Sequence, residues 1–259
     1  MVKLWKKGLS LFLVLACAGV FPMAAHAAEE TVSSESAAQP VDGSVVRIDV
    51  PDENGNYITL EGEEAKQWYN QAVIETKKNL IEDEKIIHSI SKEDHSVTLD
   101  GMFTYKYRYV ESKHTNDVAR TDLKKNITNK LTNQSSVEQS YDLRLSVSQS
   151  WTINGSVTGK YKDAVMGQLG GNWGKSYSKD ETLHVKIAPG KTVQVQFVPI
   201  MDKSVGEAQK YYIPRGGLYK NPIIEKRVAV TTYNPKFTTC KVGIFNMKTV
   251  YGAYIWVEK

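Results

Sequence analysis

The chain has 259 residues, of which 41% are hydrophobic and 24% charged, a composition that folds and that excludes wholesale disorder. Its formal net charge of +4 falls to +1 once Lys3, Lys6 and Lys7 of the basic N-terminal start are set aside. A nearly neutral chain has no global field to draw in nucleic acid, so no nucleic-acid partner is expected.

Residues 1–27 read as a signal peptide for secretion. A basic start precedes an apolar run over 8–20, Pro22 breaks the run, and Ala25-His26-Ala27 is a small-x-small cleavage site. The run is shorter than the ~20 residues that a spanning helix needs. The expected location is extracellular. Val14-Leu15-Ala16-Cys17 offers lipid anchoring at Cys17 as a minor alternative, with Leu15 large for that processing site. After cleavage only Cys240 remains, so no internal disulfide is available. Residues 28–44 are rich in Ser, Glu and Ala and read as a disordered leader.

A small α+β region is expected over 45–120. Val46, Ile48 and Val50 alternate, Asn54-Gly55 marks a tight turn, and residues 57–60 form the return strand. Pro51 ends the first strand or puts it at an edge. Glu61, Glu63 and Glu64 open an amphipathic helix over 63–80, with Ala65, Trp68, Tyr69, Ala72, Val73, Thr76 and Leu80 along one stripe. Phe103, Tyr105, Tyr107 and Tyr109 share one face of a strand over 102–110. His88, His95 and His114 match no compact ligand spacing, so no metal site is expected.

Residues 121–259 read as a β-rich domain. Residues 122–139 are polar, a loop or a weakly buried strand. Over 141–153 the odd positions carry Tyr141, Leu143, Leu145, Val147, Trp151 and Ile153. The even positions carry Asp142, Arg144, Ser146, Ser148, Ser150 and Thr152, and only Gln149 breaks the odd set. That is the period of a strand with one buried face. The parity continues through Val157, Tyr161, Val165, Leu169, Trp173 and Tyr177, with Gly155, Gly159, Gly167 and Gly171 between. It returns at Leu183, Val185 and Ile187, then at Val193, Val195 and Phe197. Beyond Pro199 apolar content falls, and residues 201–217 are expected to end in a Pro214-Arg215-Gly216-Gly217 loop. Strands are expected again over 224–232, 237–246 and 251–257.

The fold class is therefore mainly β, an elongated antiparallel sheet or sandwich with one amphipathic helix near the N-terminus. No enzyme is expected, with no catalytic residues and no cofactor. His-Glu-x-x-His, Gly-x-Ser-x-Gly and Cys-x-x-Cys are all missing from the sequence. Residues 169–176 look like a phosphate loop, but Leu169 stands at its first Gly and a strand pattern follows it.

Asn129-Lys130-Leu131-Thr132-Asn133-Gln134-Ser135 leads into the Ser-rich alternating run, and a second alternating run closes in Ile187-Ala188-Pro189-Gly190-Lys191-Thr192-Val193-Gln194-Val195. This order over residues 122–199 resembles the aerolysin-type β-pore-forming toxins, especially the epsilon-toxin and mosquitocidal-toxin branch. The resemblance implies an amphipathic hairpin that unrolls into a membrane barrel. It implies a target membrane or cell-surface receptor as partner, a monomer in solution and a homo-oligomer on the membrane.

The residues fit a hairpin over 151–177 folded back around Lys162-Asp163-Ala164. Trp151, Ile153, Val157, Tyr161, Val165, Leu169, Trp173 and Tyr177 then face lipid. Thr152, Asn154, Ser156, Thr158, Gln168, Asn172 and Ser176 face the lumen. The same alternation equally suits the alternative, a secreted or wall-associated β-sandwich binding module without pore activity.

Overall fold

The computed structural model describes residues 44–52, 56–90, 104–153, 157–170, 173–214, 221–242 and 245–259. The signal peptide, Cys17, the leader as far as residue 43, Asn54-Gly55, His95, Phe103 and Gly216-Gly217 lie outside them, as do Asn154, Ser156 and Asn172 of the hairpin. The fold is mainly β, and every strand pairing is antiparallel.

Strand β1 (Ser44–Pro51) ends at Pro51, which pairs with Tyr57 of β2 (Tyr57–Glu61). Helix α1 (Gly62–Ile90) carries Glu63 and Glu64 in its first turn, where carboxylates suit the helix dipole. Ala65, Tyr69, Ala72, Thr76 and Asp83 form its buried stripe. The stripe is the expected one, but the helix runs ten residues past Leu80 because Asp83 continues it. Asp83 lies 2.7 Å from the Lys203 ammonium and accepts a hydrogen bond from the Tyr233 hydroxyl at 2.7 Å. Such a pair can sit in a core where either charge alone could not.

Strand β3 (Lys106–Ala119) buries Tyr109 and Val118. The polar stretch after it is loop holding two short strands, β4 (Lys125–Asn126) and β5 (Leu131–Thr132). Asn133 anchors this loop from a fully buried position. Its Nδ2 donates to Val137 O and Ile187 O, both at 2.8 Å, and its Oδ1 accepts from Ser135 N at 2.9 Å.

Strand β6 (Gln139–Gln149), strand β7 (Thr152–Ile153), helix α2 (Gly159–Leu169) and strand β8 (Tyr177–Ile187) follow. β6 and β8 pair with each other as a two-stranded sheet. Their odd positions are half-buried or buried and their even positions exposed throughout.

Strand β9 (Thr192–Tyr212) runs on past Pro199, through the stretch where apolar content falls. It has 21 residues and a length of roughly 70 Å at ~3.3 Å per residue. Polar side chains are tolerated in its second half because partners satisfy them. Lys203 reaches Asp83 and Asn79, and Ser204 meets the Tyr109 hydroxyl at 2.8 Å. β10 (Ile223–Pro235), the hairpin of β11 (Phe237–Val242) with β12 (Phe245–Val250), and β13 (Gly252–Glu258) complete the chain.

β9 organises the main sheet. Its first half pairs with β13, β4 and β5, and its second half with β3 and β10. β1 and β2 extend the sheet beyond β13. Around β13 the molecule has three layers. Tyr254 and Trp256 pack toward Leu145, Val147, Val185 and Ile187 of the β6–β8 pair. Ala253, Ile255 and Val257 pack with Ala65 and Tyr69 of α1.

Candidate functional site

The segment between β6 and β8 carries the residues singled out by sequence. It leaves β6 at Ser150 and docks on β10. The Trp151 indole N–H donates to Thr232 Oγ1, Thr232 Oγ1 donates to Thr152 O at 2.7 Å, and Ile153 pairs with Thr232. Val157 is buried before the chain enters α2.

Residues 159–169 are therefore helix here, where a hairpin in strand form was expected. The reason lies in the spacing. Val157, Tyr161, Val165 and Leu169 recur every four residues, which keeps them on one face of a helix as well as of a strand. Together with Ile153 they pack on Tyr109, Ala208, Val228 and Val230 of β3, β9 and β10. Val165 is fully buried, and Tyr161 meets Tyr107 edge-on with ring centroids 5.1 Å apart. Burial pushes the neighbouring Tyr109 phenol up to about 12, which marks a dry contact surface.

Lys160 lies over the Tyr107 ring and Lys162 over the Trp151 ring, and the helix's own features add little to this packing. It has 11 residues, below the ~12–15 at which isolated helices become even marginally stable. Thr158 stands at its N-cap without a side-chain capping bond, and its first turn has no acidic residue. Gly167 weakens its interior by about 1 kcal/mol relative to Ala. It ends at Gly170, whose φ of +94° a side chain would disfavour.

The remaining aromatic residues of the expected lipid face lie at the base of the segment, apart from this cluster. Trp151 sits on Thr232. Trp173 is buried with its ring 6.1 Å from that of His114. Tyr177 packs against the β6–β8 core and lies 5.0 Å from the Phe237 ring. Of the expected lumen set, Thr158, Gln168 and Ser176 are exposed and Thr152 is half-buried. Ser176 Oγ donates to Ser150 Oγ at 3.0 Å, which ties the two ends of the segment together.

The register of the two arms bears directly on the segment. Each β6–β8 pair is symmetric about Asp163, from Gln139 with Ile187 to Gln149 with Tyr177. Continued inward without a slip, that ladder would set Ile153 opposite Trp173, Val157 opposite Leu169 and Tyr161 opposite Val165. This is the hairpin expected from the sequence, turning at Lys162-Asp163-Ala164. Asp202 of β9, Asn234 of β10 and Lys236 between β10 and β11 lie beside the end of α2 and carried no sequence signal, because they come from distant parts of the chain.

Among the described residues no helix is long and apolar enough to cross a membrane, which says nothing of strands. No family model matches the chain, and no curated protein does. A solved structure similar to it is that of parasporin-2, a Bacillus thuringiensis toxin that recognizes cancer cells. The match has 14% identity and a TM-score of 0.22, and covers 58% of this chain and 73% of that one.

Proposed function

We propose that this chain is a secreted, non-enzymatic pore-forming protein of the aerolysin type. In solution it is a monomer with β7 and α2 packed on β3, β9 and β10. On a target membrane or cell-surface receptor it assembles into a ring, and residues 150–176 become a β-hairpin that continues β6 and β8.

The observation that carries this reading is the shared register. The β6–β8 ladder points at Asp163, and on that axis Ile153 falls opposite Trp173, Val157 opposite Leu169 and Tyr161 opposite Val165, while Trp151 falls opposite Lys175. Gly155 falls opposite Gly171 and Gly159 opposite Gly167. No residue need be inserted or skipped. The same apolar set would pass from the sheet surface it now covers to lipid. Thr152, Asn154, Ser156, Thr158, Gln168, Asn172 and Ser176 would line the lumen.

Dimensions support it. Residues 151–161 number 11, roughly 35 Å when extended at ~3.3 Å each. At a strand tilt of ~40° that spans about 27 Å, close to the ~30 Å hydrocarbon core. Such strands can sit in lipid only as a closed barrel, because open edges would leave backbone groups unpaired.

A reversible lock tests the conversion. Ile153 and Thr232 are directly paired, at a separation within disulfide reach. The double variant Ile153→Cys, Thr232→Cys in a Cys240→Ser background should release no dye from liposomes or target cells when oxidised. Reduction should restore full release. Equal release in both redox states would overturn the conversion. No release by the unmodified chain in either assay would return the protein to the binding-module alternative.

A further inference from the structure

The even positions of β6 and β8 form one exposed, polar face. Its ionisable side chains are Asp142 and Arg144 on β6, and Asp180, His184 and Lys186 on β8, with Ser or Thr at the other even positions. His184 stands directly opposite Asp142 in the ladder, and its Nδ1 lies 2.5 Å from Asp142 Oδ1. The two side chains are 79% and 70% exposed, so the pair adds little to the stability of the monomer and exchanges protons freely with water. Arg144 and Lys186 flank the pair along the ladder, and Glu138 lies 3.9 Å from Lys186.

The β6–β8 register keeps even positions on one side of the ladder all the way to Asp163. Under the proposed conversion this face continues the lumen wall of Thr152, Thr158, Gln168 and Ser176. At ~3.3 Å per residue and a tilt of ~40°, His184 then stands about 50 Å from the turn, beyond the ~30 Å hydrocarbon core. Closure of the ring sets one Asp142–His184 pair per protomer around a water-filled channel.

We propose that the Asp142–His184 pair makes the ion selectivity of this pore depend on pH, an inference that rests on the function proposed above. Histidine is the side chain that changes charge between about pH 5 and 8. Above that titration each pair presents one negative charge to the channel. Below it the imidazolium cancels the carboxylate. The ring therefore favours cations at high pH and loses that preference as pH falls. Arg144, Asp180 and Lys186, and Lys160 and Lys162 near the turn, are of types that hold their charge over this range and set a constant offset.

Reversal potentials of the full chain in planar bilayers, under a potassium chloride gradient at about pH 8 and about pH 5.5, test this. The chloride-to-potassium permeability ratio should rise about twofold or more on acidification. His184→Gln removes an exposed side chain and should conduct at the parent's pH 8 ratio whatever the pH. Asp142→Asn should prefer chloride more than the parent does at pH 8. A conducting parent whose ratio ignores pH would overturn this inference and leave the pore reading standing. An acid shift in His184→Gln as large as the parent's would do the same. No conductance by the parent at either pH would overturn the pore reading, and this inference with it.

Discussion

β6 and β8 face each other along 11 residue pairs, whereas the segment between them leaves that ladder and packs on β3, β9 and β10. Both regions keep their apolar residues on odd positions. In the arms, Tyr141, Leu143, Leu145 and Val147 fill every odd position in turn. On a helix, residues two apart lie about 200° from each other, so this spacing commits the arms to strand. In the segment the large residues recur every fourth position, with glycine at several of the odd positions between. Residues four apart differ by only about 40° on a helix and not at all on a strand. The spacing in the arms fits a strand alone, whereas the spacing in the segment fits either a helix or a strand. Which one the segment adopts is then decided by the surface available to its apolar face.

The largest effect should come from weakening the arms. Ile187 is fully buried in β8 and packs into the same core as β9 and β13. Ile187→Ala should cost about 2–5 kcal/mol, read as a fall in the denaturant midpoint of the whole protein. A loss below about 1 kcal/mol would mean that the β6–β8 pair is an appendage, and the contrast between arms and segment would fail.

A smaller and local effect is expected in the segment. Val165 is as buried as Ile187, but it sits on an 11-residue helix. Val165→Ala removes two methyl groups, about 1–2 kcal/mol. Hydrogen exchange should show α2 amides opening roughly 5- to 30-fold faster, with β6 and β8 amides unchanged. Equal acceleration in the arms would show that segment and arms open as one unit.

This contrast marks what was legible in the sequence. The alternation of Tyr141 to Val147 and of Leu183 to Ile187 gave the arms, including which face is buried, because local period alone decides that. The α1 stripe was legible as far as Leu80. Its continuation depends on Asp83, a carboxylate that is buried only because Lys203 and Tyr233 meet it from distant strands. The same long-range pairing hid the second half of β9, where Lys203 and Ser204 look like loop residues. Parity allowed a turn at Asp163 without selecting it, and the arm register is symmetric about that residue. The helical state of residues 159–169 was not legible. A period of four fits two structures, and the deciding surface, built from Tyr109, Ala208 and Val230, lies elsewhere in the chain.

The smallest predicted effect sharpens the comparison most, because it changes the segment's preference and touches nothing else. Gly167 lies inside α2 and is exposed, and a Cβ added there meets no atom within 4 Å. Its backbone is ordinary helix, so a side chain introduces no strain. Gly167→Ala should therefore stabilise α2 by about 1 kcal/mol, through lower backbone entropy in the open state. Exchange of α2 amides should slow about fivefold, with the global denaturant midpoint shifted little. In the proposed hairpin, residue 167 would fall opposite Gly159 on the lipid side, where a methyl group is welcome. Under the proposed conversion, alanine leaves the hairpin intact and raises the cost of unwinding α2. Dye release should be slower by a similar factor and reach the same final extent. Faster release alongside slower α2 exchange would show that unwinding of α2 does not precede insertion.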